Sequence, residues 1–199
     1  MAYSSIAKPT DYFNTVLYTG NGTTDHAITG VGFQPDWTWL KKRSNTDDHI
    51  LQDVVRGATK YLISNSTAAE STYAEGFKSF DSDGFTLGNA NNTNQNTHTF
   101  AAWNWKAGGS STTNPSGGTI TTTASVNTTA GFSVFTYTGN GSAAHIAHGL
   151  GVAPTLVIIK GRSNTDNWFV KHPALASNQY VYINSTGATA SGSNVWSNT

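Results

Sequence analysis

Tyr12-Phe13-Asn14-Thr15-Val16-Leu17-Tyr18-Thr19-Gly20-Asn21-Gly22 is an alternating run closed by a turn, and its last five residues return as Tyr137-Thr138-Gly139-Asn140-Gly141. The separation is 119 residues, and Arg43-Ser44-Asn45-Thr46-Asp47 returns at that same separation as Arg162-Ser163-Asn164-Thr165-Asp166. His26 meets His145, Pro35 meets Pro154, Lys41 meets Lys160 and Tyr61 meets Tyr180 at one offset with no gap. One offset through several separated motifs marks a tandem repeat. Within each copy, runs rich in Val, Ile, Thr, Tyr, Phe and Trp lie between Gly, Asn, Asp and Ser clusters, the pattern of antiparallel strands joined by tight turns. The fold class expected is therefore all-β.

Strands are expected near Tyr12 to Tyr18, Asp36 to Lys42, His49 to Gln52, Lys60 to Ser64, Phe77 to Phe80, Phe85 to Leu87 and His98 to Trp105. Asn21-Gly22 and Asn140-Gly141 suit the left-handed backbone of a hairpin turn, and Ser44 to Asp47 and Asp83-Gly84 read as further hairpin loops. Helical signal is weak. Its best site is Asn65 to Ala74, where Ser66 or Thr67 caps a brief turn with Glu70 at the capping-box position.

From Gly108 the chain turns Gly-, Ser- and Thr-rich, the composition of a linker, and its later part, Thr119 to Val126, alternates well enough to be a strand entering the second copy. The expected organisation is an N-terminal docking segment over 1–11, a first sandwich over 12–108, linker and entering strand over 109–130, and a second sandwich over 131–199. At the 119-residue offset Thr199 falls opposite Phe80, so the second sandwich has no counterpart of Asp81 to Ala107. Either those strands lie in a longer chain or a neighbouring subunit supplies them by strand addition. The first account is preferred, since bare sandwich edges are rarely left uncovered.

Composition narrows the function. Charged residues are 11% of 199 and formal net charge is zero, against roughly 25% charged in ordinary globular chains. The surface is one of hydroxyls and amides, without the basic footprint that nucleic acid requires. No run approaches the roughly 20 apolar residues that cross a bilayer, and Ala2-Tyr3-Ser4-Ser5 after Met1 lacks the regions of an export signal. Neither nucleic-acid binding nor membrane insertion is expected. The chain has no cysteine, which excludes disulfides and thiolate metal sites.

The second copy helps to read the first. Trp37 and Trp39 align with Leu156 and Ile158, so their slots require volume rather than an indole and are assigned to the core. Trp103 and Trp105 alternate onto one face of their strand; with no counterparts, they are read either as core or as an exposed stacking platform. Trp168 and Trp196 are singletons. His26 and His145 recur, yet no second His or carboxylate recurs at a metal-site spacing, so they are read as loop-fixing residues. Arg43 and Asp47, with Arg162 and Asp166, flank the repeated loop; each pair closes its loop by a salt bridge or clamps a ligand. Asp81-Ser82-Asp83-Gly84 is read as a β-turn rather than a calcium loop. The glutamates Glu70 and Glu75 have no acidic counterparts, and no nucleophile elbow, phosphate loop or zinc motif occurs. No catalytic residue, metal or cofactor is expected.

Gly30-x-Gly32-Phe33-x-Pro35-Asp36-Trp37-x-Trp39-x-Lys41-x-Arg43, Asp53-x-x-Arg56-Gly57, Phe80-x-x-x-Gly84-Phe85 and Ala102-Trp103-Asn104-Trp105-Lys106-Ala107-Gly108 resemble an uncharacterised domain family common in bacteriophage virion proteins. That family is often described as tail fibre or phage structural protein, particularly in marine and cyanobacterial phages. The resemblance implies tandem lectin-like β-sandwiches of the concanavalin jelly-roll kind, the second incomplete in this chain. It also implies a non-enzymatic tail fibre or spike on the virion surface, with capsid decoration as the alternative. The partners implied are other virion proteins, further copies in a homo-oligomer with a trimer favoured, and a host surface glycan or protein. The binding residues expected are Arg43, Asp47, Arg162, Asp166, Trp103 and Trp105.

Overall fold

Alternation drives strand formation throughout the first copy. In a computed structural model that describes residues 6–108, 112–113, 115, 117–192 and 195, a single 3-10 turn (Pro9–Asp11) leads into β1 (Phe13–Thr19), β2 (His26–Ile28), β3 (Trp37–Lys42), β4 (His49–Asp53) and β5 (Lys60–Ile63). There follow β6 (Ser71–Thr72), β7 (Phe77–Asp81), β8 (Gly84–Leu87), the short helix α1 (Asn91–Asn94) and β9 (Thr99–Trp105). All seven expected strands form. The expected helix does not: Asn65 to Ala74 runs as turns and as β6, which pairs Lys60 with Thr72. Ser66 Oγ accepts only the Ala68 N–H, at 3.1 Å, and caps no helix.

Two antiparallel sheets close the first sandwich, one ordered β1-β9-β3-β4-β5-β6 and the other β2-β8-β7. Successive side chains of a strand point to opposite faces, so β3 gives Thr38, Leu40 and Lys42 to one face and Trp37, Trp39 and Lys41 to the other. The first face meets the small sheet. There Ile28, Leu40, Ile50, Phe77, Phe85, Leu87 and Ala102 form the core, with Tyr18 and Tyr61 packed at its rim. Ser44 to Asp47 and Asp83-Gly84 are hairpin loops, joining β3 to β4 and β7 to β8. Asn21-Gly22 is not a hairpin: β1 pairs with β9 and β2 with β8, so this turn carries the chain from one sheet to the other.

The small sheet is tied down by its turns. Gly84 has φ +148°, and a Cβ there would lie 2.0 Å from the Ile28 carbonyl oxygen, so only glycine lets β8 approach β2 this closely. Asp83 accepts the N–H groups of Gly30 at 3.0 Å and Gly32 at 2.6 Å, and these bonds hold its carboxyl below the usual carboxylate range. Asp81 accepts Ser79 Oγ and Thr86 Oγ1 at 2.8 and 2.7 Å. The carboxylates of this hairpin turn are thus committed to backbone N–H groups of the β2–β3 connection and to neighbouring hydroxyls.

The second copy builds β10 (Thr112–Thr113), β11 (Thr122–Asn127), β12 (Phe132–Tyr137), β13 (Val157–Lys160), β14 (Trp168–Lys171), β15 (Gln179–Tyr182) and β16 (Ala190–Ser191). They form two antiparallel sheets, β10-β11-β12 and β13-β14-β15-β16. Strands β12 to β16 stand at the 119-residue offset from β1, β3, β4, β5 and β6, and β11 is the entering strand. Trp196 lies outside the described residues.

The two copies pack against each other. Trp168 of β14 sits among Leu51, Leu62, Trp37, Trp39, Ile158 and Ile183, and its indole N–H donates to the carbonyls of Ile63 at 2.9 Å and Ser66 at 3.2 Å. Phe132 stacks on Trp37 with centroids 5.9 Å apart. Trp37 and Trp39 therefore do fill space, but not the space expected. They lie on the sheet face turned away from the sandwich core and form the floor of the inter-copy contact.

Chemical denaturation with these faces distinguished checks the layering. Phe85→Ala, which empties a fully buried core position, is expected to cost about 3–5 kcal/mol. Leu17→Ala, on the open part of the opposite face and 63% exposed, is expected to shift stability by less than about 0.5 kcal/mol.

Candidate functional site

Four tryptophans share the second face of the large sheet because β9 lies between β1 and β3 in strict register. Trp105 is level with Phe13 and Trp37, and Trp103 with Thr15 and Trp39. Trp37 and Trp105 are 4.5 Å apart between centroids, Trp37 and Trp39 5.9 Å, and Trp39 and Trp103 6.4 Å. Phe13 caps the row at 4.8 Å from Trp105. Trp103 and Trp105 are half-buried, core in neither case. Toward the β1 edge the surface opens, with Leu17 63% and Phe13 38% exposed.

The polar flank of this row is His49. Its Nδ1 accepts the Trp39 indole N–H at 3.0 Å, a bond that requires an unprotonated nitrogen. Burial, with the Lys41 charge assisting and Asp48 opposing, pushes its pKa down, which favours that neutral form. Lys41 is itself anchored, donating to the carbonyls of Asn45 and Asp47 at 3.1 and 2.6 Å. The result is a rigid aromatic strip with one exposed apolar border and a fixed polar end, suited to stacking on apolar ring faces.

The repeated loops do not close as expected. Asp47 forms its ion pair with Lys42, not with Arg43, and Lys42 also donates to Gln95 Oε1 at 2.7 Å. Arg43 is exposed, with its backbone N–H held by the Thr99 carbonyl at 2.7 Å. Beside it Ser44 Oγ meets His98 Nδ1 at 3.0 Å. In the second copy Asp166 turns its carboxylate to the Asn167 N–H at 2.8 Å, and Arg162 reaches across to the first copy. Its Nε and Nη2 grip the two oxygens of Glu70 at 2.9 and 2.8 Å. The structure thus brings Trp103 and Trp105 together, leaves Arg43 at the open end of the sheet, and draws Arg162 into the inter-copy contact.

Glu70 is the residue that sequence reasoning misplaced. It also faces Arg56 Nη1 at 3.4 Å, and Arg56 pairs in turn with buried Asp53 and donates to the Leu51 carbonyl at 2.9 Å. Partial burial alone would raise the Glu70 pKa; the hydrogen bonds and charge of Arg162, then those of Arg56, outweigh it and set the pKa below the usual value. The counterparts of Asp53, Arg56 and Glu70 are His172, Leu175 and Thr189, so this network belongs to the contact and not to the repeat.

His26 is held by its strand pairing with Leu87 and, at the ring, by a side chain. Its Nδ1 meets Asn94 Oδ1 at 2.7 Å, while Asn94 Nδ2 donates to Asn21 Oδ1, the Thr23 carbonyl and the Gly88 carbonyl at 2.8 to 3.0 Å. His145 is exposed and joins the second copy's entry through Thr119. Among the described residues no group of three His, Cys, Asp or Glu is placed to hold a metal ion.

Residues 8–199 match the family model described as a domain of unknown function, DUF7483, and the match runs through both copies. No curated protein matches the chain, and no solved structure does.

The ion network makes the inter-copy contact acid-sensitive. A carboxyl whose folded pKa is depressed adds stability that is present above its unfolded value and lost as pH falls through the folded pKa. Stability is therefore expected to fall below about pH 4.5, with Glu70→Gln removing that part of the pH dependence. At neutral pH the substitution should cost about 1 kcal/mol, discounted for partial exposure. Denaturation midpoints of both proteins between pH 3 and pH 7 give the check.

Proposed function

We propose, for a chain that belongs to the DUF7483 domain family, the role of a non-enzymatic virion structural protein. It is a tail fibre or spike module of a bacteriophage that contacts the host surface. The observation that carries this reading is the aromatic strip: Trp103 and Trp105, bordered by exposed Phe13 and Leu17, on a rigid sheet with Arg43 at its end. Ring faces of this kind stack on sugars and on apolar side chains, and neighbouring hydroxyls and amides complete polar contacts directly or through water. A surface of few charges and zero net charge supports recognition by shape and hydrogen bonding over electrostatic steering. The ordered motifs of the first copy support the virion setting.

Recognition here needs no catalytic group. Glu70 and Asp53 are tied to arginines, and Asp83 and Asp81 to turn backbone and hydroxyls, so these carboxylates act as structural anchors. The partners follow from the setting: other virion proteins, further copies of this chain in a fibre-like homo-oligomer with a trimer favoured, and a host glycan or surface protein.

Two measurements check the reading. Immunogold electron microscopy of intact particles with an antibody against the first copy is expected to label the tail or its fibres. Gold over the head would replace this role with capsid decoration, and no labelling would end the virion assignment. On a host-glycan array, Trp103→Ala and Arg43→Ala are each expected to lower binding about tenfold, equivalent to about 1.4 kcal/mol, with the circular dichroism spectrum kept. Unchanged binding by both variants would remove the strip from the contact surface.

A further inference from the structure

Strand β3 is paired on both edges, with β4 on one and β9 on the other. Its counterpart β13 is paired on one. The β13–β14 register, Val157 with Lys171 through Lys160 with Trp168, reproduces the β3–β4 register at the 119-residue offset, so the edge of β13 without a strand partner among the described residues is the edge that β3 gives to β9. An edge with unpaired backbone groups is a template for another strand.

Side-chain exposure marks the same vacancy. Phe33 is 3% exposed and its counterpart Val152 70%; Phe33 lies under Lys106, whose ammonium is 5.9 Å from its ring, at the end of β9. Trp37, half-buried against Trp105, has as its counterpart Leu156, 55% exposed. A cavity of about 400 Å³ lies at the far end of this edge, walled by Thr121, Tyr137 and Thr138 on one side and Arg162 on the other. Tyr137 and Arg162 are the counterparts of Tyr18, which stacks on Phe100, and Arg43, which binds the Thr99 carbonyl.

The seat of the second sheet, by contrast, is taken. In the first copy β2 pairs with β8. In the second, the equivalent segment is bridged by the linker: Ile120 pairs with Ile146 in parallel. Thr119 binds His145 twice at 2.9 Å, and Thr122 Oγ1 donates to the Ala147 carbonyl at 3.2 Å. A continuation folding as β7, β8 and β9 fold would have to displace that linker, whereas one extended strand would not. A second copy of this chain is a poor donor, because its own β9 is held on both edges with Phe100 and Ala102 fully buried.

We propose that the open edge of β13, from Leu156 to Gly161 and ending where the Arg162 carbonyl accepts the Glu70 N–H at 2.8 Å, accepts in antiparallel register a single extended strand from another polypeptide chain. The donor has the character of Thr99–Trp105: uncharged, with small residues opposite Ile159 and Lys160 and large aromatic ones opposite Leu156, Ile158 and Gly161. Backbone hydrogen bonds supply the affinity and the alternate side chains the specificity, the mode of β-strand addition.

The test uses the whole 199-residue protein and a synthetic peptide carrying the sequence of residues 97–106. The expected result is saturable one-to-one binding by fluorescence anisotropy, with amide exchange slowed at least about tenfold in residues 156–161 and little elsewhere. A scrambled peptide, and one N-methylated at its Ala101 and Trp103 positions, are expected not to bind. Those two amides face β3 in the first copy, by alternation from the Thr99–Arg43 bond. Failure to saturate, equal binding of the scrambled peptide, or protection centred on another strand would overturn the proposal. So would a native polypeptide heavier than 21.1 kDa whose extra peptides repeat the Thr99–Trp105 pattern, since the donor would then be the same chain.

Discussion

A sheet with apolar side chains on both faces needs two covers, and everything else in this chain is arranged around that need. Leu40, Ile50 and Ala102 point one way and Trp37, Trp39, Leu51 and Leu62 the other. An indole carries roughly 150–250 Å² of surface, so even half burial is worth on the order of 2 kcal/mol at about 25 cal/mol per Å². The small sheet covers the first face. The second copy covers much of the second, leaving the β1 border of the tryptophan row open, and that remainder is the surface proposed for recognition.

Polar groups act as joints between these apolar layers. Asp36, fully buried just before β3, accepts the Ala107 N–H at 2.7 Å through one oxygen and Ser125 Oγ at 2.6 Å through the other. One carboxylate therefore holds the exit of the first copy against the entering strand of the second. Asn94 does the same work inside the first copy, joining the Asn21 turn, the Thr23 carbonyl and the end of β8. Both meet the rule that a buried polar group is satisfied by specific partners, and both fix where a chain segment crosses between layers.

Much of this was legible in residues alone. The seven main strands follow from alternation and from Gly, Asn and Asp at their ends, and the repeat follows from one offset. What escaped was set by long-range partners. Asn21-Gly22 has the chemistry of a hairpin turn, but Tyr18 stacks on Phe100 and β2 finds β8, so the flanking strands separate into different sheets. Glu70 has the spacing of a helix cap and instead meets Arg162, 92 residues away. The substitution of Trp39 by Ile158 between copies correctly signalled packed volume; it was silent on which face, because a strand buries both. Strands of two or three residues such as β2 and β6 carry too little pattern to be seen.

The contact between the copies is not self-complementary. Trp37 lies inside it while its counterpart Leu156 is mostly exposed, and none of Glu70, Arg56 and Asp53 has a counterpart of its own charge. Such a heterologous interface, placed on separate molecules, has no two-fold operation to close it and would propagate head to tail, into rings where the rotation closes and into filaments where it does not. Holding both surfaces on one chain, a short linker apart, keeps their effective concentration far above that of any free copy. Covalent duplication thus spends the adhesive face of the first copy inside the molecule, where it is not offered to a free copy.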